Sequence, residues 1–465
     1  MLRRRTAAIA LLLTASALVA PGQAFAQSAT REAALASRLE KLEAEIQALR
    51  SDLAAARGEL AQTTAVAQKA AAKADAPPAQ AAAQPATAPA DGFRSGATTI
   101  KLGGYLKLVA SNSRFSDGEV ATNSLGRDFY LPQAIPTAGG PASRVQDFSA
   151  KQARFWLNLS TDVAGHSLKG YVETDFQTSP GTQGSQRTTN GYNLALRRAW
   201  LQVDKFTFGQ DWSTFQYTGA LPESTDYVGV TEGTVFVRQP LIRYSAPLGG
   251  GMTLHVSAEN AESGTATLGL PTLIENGDDS LPDFAARLTW AGSFGELSLA
   301  GLARQVRVAN GAASDSSFGW AASAAGKIYL AGDKSSDVRF MATYGSNAGR
   351  YIGLNFAPDA IYVPASGTLA DVREFAAFAA VRIGLTPQIR LNLMGSYQGV
   401  DYDAALAPAA LAGFNDQAWS AAANLFWSPV KNVDLGIEYR HGERRVVGGA
   451  QGKLDRLELA AKYGF

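Results

Sequence analysis

The side chains with most to offer chemically in this sequence of 465 residues are arginines. Beyond residue 93 there are 22 of them against 10 lysines, and a guanidinium carries forked donors that match a carboxylate or a phosphate. Arg154, Arg198, Arg243, Arg287, Arg304, Arg339, Arg382, Arg390, Arg440 and Arg456, with Lys101, Lys107, Lys169, Lys327 and Lys462, share the parity opposite to the apolar residues of their own segments. One wall of whatever these segments build is therefore basic. Glu173, Asp175, Glu296, Glu374, Asp434, Glu438 and Glu458 have the same parity but are fewer, so the wall leans positive. Donors on such a wall replace an anion's hydration, and scattered acids keep binding weak enough for release. Each arginine has a second reading, pairing with a neighbouring acid to order the wall. Arg197 breaks the parity set by Ala199, Leu201 and Val203, and its direction stays open.

Other chemistry is thin. There is no cysteine, hence no disulfide framework, thiolate metal site or thiol nucleophile. The histidines His166, His255 and His441 are scattered, without metal-ligand spacing. His255 and Ser257 share one strand parity, which reads as wall lining rather than as a hydrolase pair. No phosphate-binding glycine motif occurs. The expectation is no enzyme, no cofactor and no metal. A formal net charge of +1 gives no case for nucleic acid as a partner.

The elements that carry these residues alternate with period two from residue 94 to the end. Leu391 and Leu393 alternate with Arg390 and Asn392, and Leu435, Ile437 and Tyr439 with Asp434, Glu438 and Arg440. Sixteen such segments can be placed, the first at 99–112 and the last at 453–465. An even number suits a bacterial outer-membrane barrel. Short turns, as at 163–166, 204–205 and 428–432, alternate with long loops rich in Gly, Ser, Asn and Asp, as at 113–150, 178–190, 261–282, 348–370 and 401–415. That asymmetry describes an up-and-down barrel whose short turns face the periplasm. Tyr244, Trp290, Trp427 and Phe465 fall at the short-turn end, as an interfacial girdle requires. A soluble sandwich also alternates, but its strands average only ~5–6 residues, whereas these run to the ~9–11 that a tilted membrane strand needs. Small apolar positions such as Ala377, Ala379, Ala421 and Ala423 suit a lipid-facing wall. Every second side chain is thus expected to touch hydrocarbon while its neighbours enclose water.

Residues 213–235 join the fifth and sixth segments and read as a loop folded into the barrel. Trp212, Phe215, Tyr217 and Tyr227 would pack it on the wall, and Glu223, Asp226 and Glu232 would face the arginines. An ordinary surface loop is the alternative.

Before the barrel the composition changes twice. Arg3, Arg4 and Arg5, an apolar stretch at 7–20 and Ala24-Phe25-Ala26 form a secretory signal peptide over 1–26. Within 27–73, Leu35, Leu39, Leu42, Ile46, Leu49, Leu53, Ala56 and Leu60 recur at alternating spacings of four and three, a heptad seam that predicts a coiled-coil helix and an oligomer. Residues 74–93, rich in proline and alanine, read as a linker, and 94–465 as the barrel. Mean hydropathy is −0.07, which excludes a bundle of membrane helices but not strand-built membrane proteins.

Leu196-Arg197-Arg198-Ala199-Trp200, followed by Gly209-Gln210-Asp211-Trp212-Ser213-Thr214-Phe215, and Arg154-Phe155 in the second segment resemble the DcaP-like family of trimeric outer-membrane porins. The closing Tyr463-Gly464-Phe465 resembles the C-terminal signal of outer-membrane barrels. The resemblance implies a homotrimer with a periplasmic coil and diffusion of small anionic solutes such as dicarboxylates. Asp211 departs from it, standing where an uncharged residue is expected. Together the readings predict a passive, arginine-lined channel in the Gram-negative outer membrane. Its partners would be outer-membrane lipids, lipopolysaccharide, small anions and two further copies of the chain. A structural envelope protein, with the coil as a spacer and little transport, is the second reading.

Overall fold

The computed structural model describes Gln47 and residues 92–122, 124–177, 191–310 and 313–465. The signal-peptide, coil and linker expectations lie outside the described residues apart from Gln47, Gly92 and Phe93, as does the loop at 178–190. No described helix is long and apolar enough to cross a membrane.

Sixteen antiparallel strands close into a barrel. They are β1 (Thr98–Phe115), β2 (Arg154–Val163), β3 (His166–Asp175), β4 (Ala195–Val203), β5 (Phe206–Trp212), β6 (Arg238–Gly249), β7 (Met252–Glu259) and β8 (Asp283–Gly292), then β9 (Gly295–Asn310), β10 (Ala313–Tyr329), β11 (Asp337–Ser346), β12 (Thr368–Gly384), β13 (Ile389–Tyr402), β14 (Asn415–Trp427), β15 (Val433–Val446) and β16 (Gln451–Gly464). Each pairs with its neighbour, and β1 pairs with β2 through its first half and β16 through its second. Two bonds between Gly104 and Phe465, at 3.2 and 3.0 Å, finish the seam. Closure leaves no strand edge unpaired, and in hydrocarbon each unpaired backbone group would cost several kcal/mol.

The alternation is realised side chain by side chain. On β14, Trp419, Ala421, Ala423, Leu425 and Trp427 are exposed while Ala418, Ser420, Ala422, Asn424 and Phe426 are buried. Trp419 and Trp427 stand eight residues apart, about 20 Å along the barrel axis at the usual rise and tilt, close to the ~25 Å apolar band of such barrels. Both ends of that band carry aromatics: Phe206–Tyr244 and Trp290–Phe294 at the short turns, and Trp320–Tyr344 and Phe375–Tyr397 at the loop end. The sequence reading identified only the first girdle. At the hairpin joining β2 and β3, Ala164 and Gly165 both take positive φ, 53° and 86°, the twist-matched geometry for a two-residue turn.

Two features depart from the expected pattern. The long loops carry structure of their own: Ser143–Ser149 extends the second strand beside β1, and the hairpin Gly264–Thr267/Leu270–Glu275 pairs with Ala360–Val363. The inner face is also not uniformly wet. Inward residues of β8–β14, among them Ala285, Leu302, Ala321, Met341, Ala376, Phe378, Met394 and Ala422, form an apolar core with Phe215, Tyr217, Val230 and Val235. Alanine on both parities made these strands apolar on both faces, and the inner face is covered by chain instead of water.

Candidate pore constriction

The cover is the segment between β5 and β6. Ser213 N donates to Val237 O at 3.0 Å and pinches its neck. From there successive residues meet successive strands around the inside of the barrel. Thr214 N donates to Glu259 on β7 (2.7 Å), its hydroxyl accepts from Arg243 on β6 (2.8 Å), and its carbonyl accepts from Arg287 on β8 (3.1 Å). Tyr217 donates to Glu296 on β9, and Leu221 O accepts from Arg339 on β11 at 2.6 Å. Glu223 accepts from Arg390 on β13 at 2.7 and 2.6 Å. Ser224 Oγ and Thr225 N donate to Glu438 on β15 at 2.6 and 3.1 Å. Thr225 O accepts from Lys107 on β1 at 2.6 Å, and Tyr227 joins Arg154 on β2 and Asp175 on β3 at 3.1 and 3.0 Å. The segment then recrosses the interior: Gly233 lies where a Cβ would come within 2.5 Å of Ala377 O, and Val235 bridges to Ile352.

The three acids named from sequence sit on this path in different environments. Glu223 pairs with an arginine as expected. Asp226 mainly caps its own turn, accepting from Val228 N and Gly229 N at 3.0 and 2.9 Å and from Tyr130 N at 2.7 Å, with Arg456 at 3.9 Å. Glu232 is fully buried and accepts from Tyr130 at 3.2 Å. Tyr130 belongs to the first long loop, which also folds inward; sequence reading missed it because the loop has no period.

The basic residues divide by what holds them. Arg154 pairs with Glu173 and Asp175 at 2.9 and 2.8 Å, and Arg390 with Glu223 and Asp434 at 2.6 and 3.0 Å. Arg339 pairs with Asp337 at 2.6 Å. Arg198 and Arg243 share Asp211, at 2.6 and 3.0 Å. Arg304, expected to line a pore, is instead wholly buried between Asp359 (2.6 Å) and Asp283 (3.4 Å). A long strand carries it above the wet part of the wall and into the packed loops. Arg287, Arg382 and Lys169 have no carboxylate partner among the described residues. Arg287 Nη1 donates to the carbonyls of Thr214 and Gln216, neutral acceptors that do not offset a guanidinium.

A bulge settles Arg197. Glu173 lies opposite Arg198 and Thr174 opposite Leu196, so Arg197 is the extra residue. It turns inward to Asp175 at 2.6 Å, beside Arg198, the re-aiming that a bulge allows. Gly209 on the adjoining strand has φ +122°, and a Cβ there would sit 2.3 Å from Ala199 O. The motif glycine is therefore required by backbone contact. Arg238, which the sequence reading did not single out, lies 4.5 Å over Trp212 and has no carboxylate partner among the described residues.

His255 lies across from Arg287, and its Nδ1 meets Ser245 Oγ at 2.9 Å. Ser257 donates to Glu259 at 2.6 Å, so the pair noticed in the sequence does not form. Among the described residues no acid orients the His255 ring, and no cluster of His, Asp and Glu suits a metal ion. At the exposed turn between β4 and β5 the His166 ring and the Ser167 amide both bond to the Asp204 carboxyl and lower its pKa.

A family model described as DcaP outer membrane protein matches residues 27–465. Among solved structures, the outer membrane channel DcaP of Acinetobacter baumannii aligns at 26% identity with a TM-score of 0.66, over 81% of this chain and 100% of that one. The in-vitro folded OmpT, an outer membrane protein of Vibrio cholerae, aligns at 11% identity with a TM-score of 0.50, over 81% of this chain and 100% of that one; this is a likeness of fold. No curated protein matches the chain.

Proposed function

The chain belongs to the DcaP outer membrane protein family, a barrel of the Gram-negative outer membrane, and from that premise we propose that it passes small hydrophilic solutes by diffusion with a preference for anions, dicarboxylates among them. The observation that carries the reading is the charge left over on the wall. Arg287 and Arg382 face inward without a carboxylate, Arg243 shares Asp211 with Arg198, and Arg198 reaches Glu173 as well at 3.4 Å. An anion entering this arc exchanges water for guanidinium donors already held in place by the loop, so little ordering is needed at the moment of contact. Carboxylates such as Glu173 and Asp211 keep the arc from holding the solute too tightly.

The water-filled path is expected on the side of the interior away from the apolar core that β8–β14 form with the loop. Arg154, Arg198, Arg243, Arg287 and Lys169 belong to this lining, with Arg339, Arg382 and Arg390 at its margin and Glu223 at the eyelet, while the buried Asp226 holds the turn beside it. Arg304 and Glu232 hold the scaffold. The heptad seam before the barrel supports assembly as an oligomer, and the family resemblance makes that oligomer a homotrimer with the coil in the periplasm. No catalysis and no cofactor is invoked.

Zero-current potentials across planar bilayers in a potassium chloride gradient test this. Wild type is expected to show anion-biased potentials, and Arg287→Glu to move them toward cations. Smaller shifts of the same sign are expected for Arg198→Glu and Arg243→Glu, because Asp211 already offsets part of their charge. A cation-biased wild type would sink the anion preference. Absence of reproducible conductance steps would favour the envelope-spacer reading.

A further inference from the structure

At the loop end of the barrel four segments from the loops enclose a cavity of about 290 Å³ that plays no part in the conduction path just described. Arg444, on β15, forms its base. The guanidinium is fixed by three bonds: Nε to Asn415 Oδ1 at 2.7 Å, and Nη1 to the carbonyls of Gln133 and Ile135, both at 2.8 Å. Its Nη2 bonds to no described residue, and no carboxylate among them lies within ion-pairing distance. Pro271 and Leu273, with the edges of the buried Phe356 and Phe414, supply the apolar part of the lining beside polar Thr272 and Asn355. Gln133, also on the lining, has a buried Oε1 without a partner.

A half-buried, oriented and uncompensated guanidinium in a cleft whose lining is somewhat more apolar than polar suits a molecule with an anionic head and a short apolar body. The volume sits at the lower end of the range of small-molecule sites. We propose that this cleft is a binding site at the outer mouth for a short monocarboxylate with an apolar tail. The carboxylate would take Nη2, and the tail would lie against Pro271 and Leu273. It goes beyond the conduction reading, since binding here does not require passage through the eyelet.

The test is saturation-transfer NMR with hexanoate on the purified full-length protein in detergent micelles, with hexanamide, inorganic phosphate and succinate as comparison probes. Hexanoate should be saturated by the wild type well above empty micelles, and the other three should compete at least tenfold more weakly. Arg444→Gln should lose about tenfold or more in affinity. Because Arg444 also ties down the first loop, a second variant is needed. Gly413→Leu places its side chain toward Pro271, where a Cβ has ordinary contact at 3.4 Å, and should fill the cleft while leaving the arginine's bonds intact. Equal hexanoate signals in wild type and Gly413→Leu would overturn the proposal. So would hexanamide binding as well as hexanoate, or a signal abolished by Arg287→Glu but kept in Arg444→Gln, which would place the anion in the pore. Conductance measured on the same preparations reports separately on the channel.

Discussion

Asp211 illustrates how one carboxylate sets the character of several bases. Both its oxygens are occupied, one by Arg198 and one by Arg243, and with Glu173 also reaching Arg198 at 3.4 Å these two positive charges are largely offset. Replacing it by asparagine keeps a hydrogen-bond acceptor and removes the compensation. Asp211→Asn is expected to make the zero-current potential more anionic, opposite in sign to Arg287→Glu, while Asp211→Glu restores the wild-type value. A shift of Asp211→Asn toward cations would mean that the carboxylate acts by ordering the arginines and not by offsetting them. The same accounting separates Arg390, fully engaged by Glu223 and Asp434, from Arg287, which bonds only to carbonyls.

Among the elements, the segment at 213–237 has the largest consequences, because its anchors come from almost every side of the barrel. Glu438 holds the turn at Ser224 and Thr225 and is itself held by Arg440 at 2.8 Å and Asn424 at 2.9 Å. Both members of the ion pair are almost fully buried, and removing one partner of such a pair costs about 3–5 kcal/mol. Glu438→Ala is therefore expected to free the acidic turn, with single-channel recordings showing larger conductance and more frequent current fluctuations than wild type. A quiet channel of unchanged size would show that the apolar contacts of Phe215, Val230 and Val235 hold the segment by themselves. The bulge at Arg197 acts at the same scale, adding a second guanidinium to an inward face where strict alternation allows one.

For the whole molecule, stability rests on a wall that is apolar outside over the thickness of the hydrocarbon. Ala423, midway between Trp419 and Trp427 and exposed, is where a charge meets lipid at its deepest. Ala423→Arg should lower the unfolding free energy by ~2–4 kcal/mol, and Trp427→Arg, at the interface, by ~0–1 kcal/mol in its charge term. Urea titration of the barrel folded into liposomes measures both. Equal losses at the two positions would remove the depth dependence on which the membrane placement relies. The inner side adds a second apolar contribution, since the core under the loop joins β8–β14 to a segment from the opposite wall.

The number of strands, the outward face of each and the inward parity of most arginines could be read from the chain, while strand ends shifted by a few residues. A side chain's face on a pleated strand depends only on counting by two, and lipid on one side enforces that count at every position. Other properties needed the closed barrel. Which arginines keep their charge depends on partners such as Glu223 and Arg390, 167 residues apart. The direction of Arg197 depends on a register shift against β3, and the dry inner wall of β8–β14 on where an aperiodic loop comes to rest. The local pattern holds no record of these contacts, because they form only once closure brings distant inward faces to one side of a common interior.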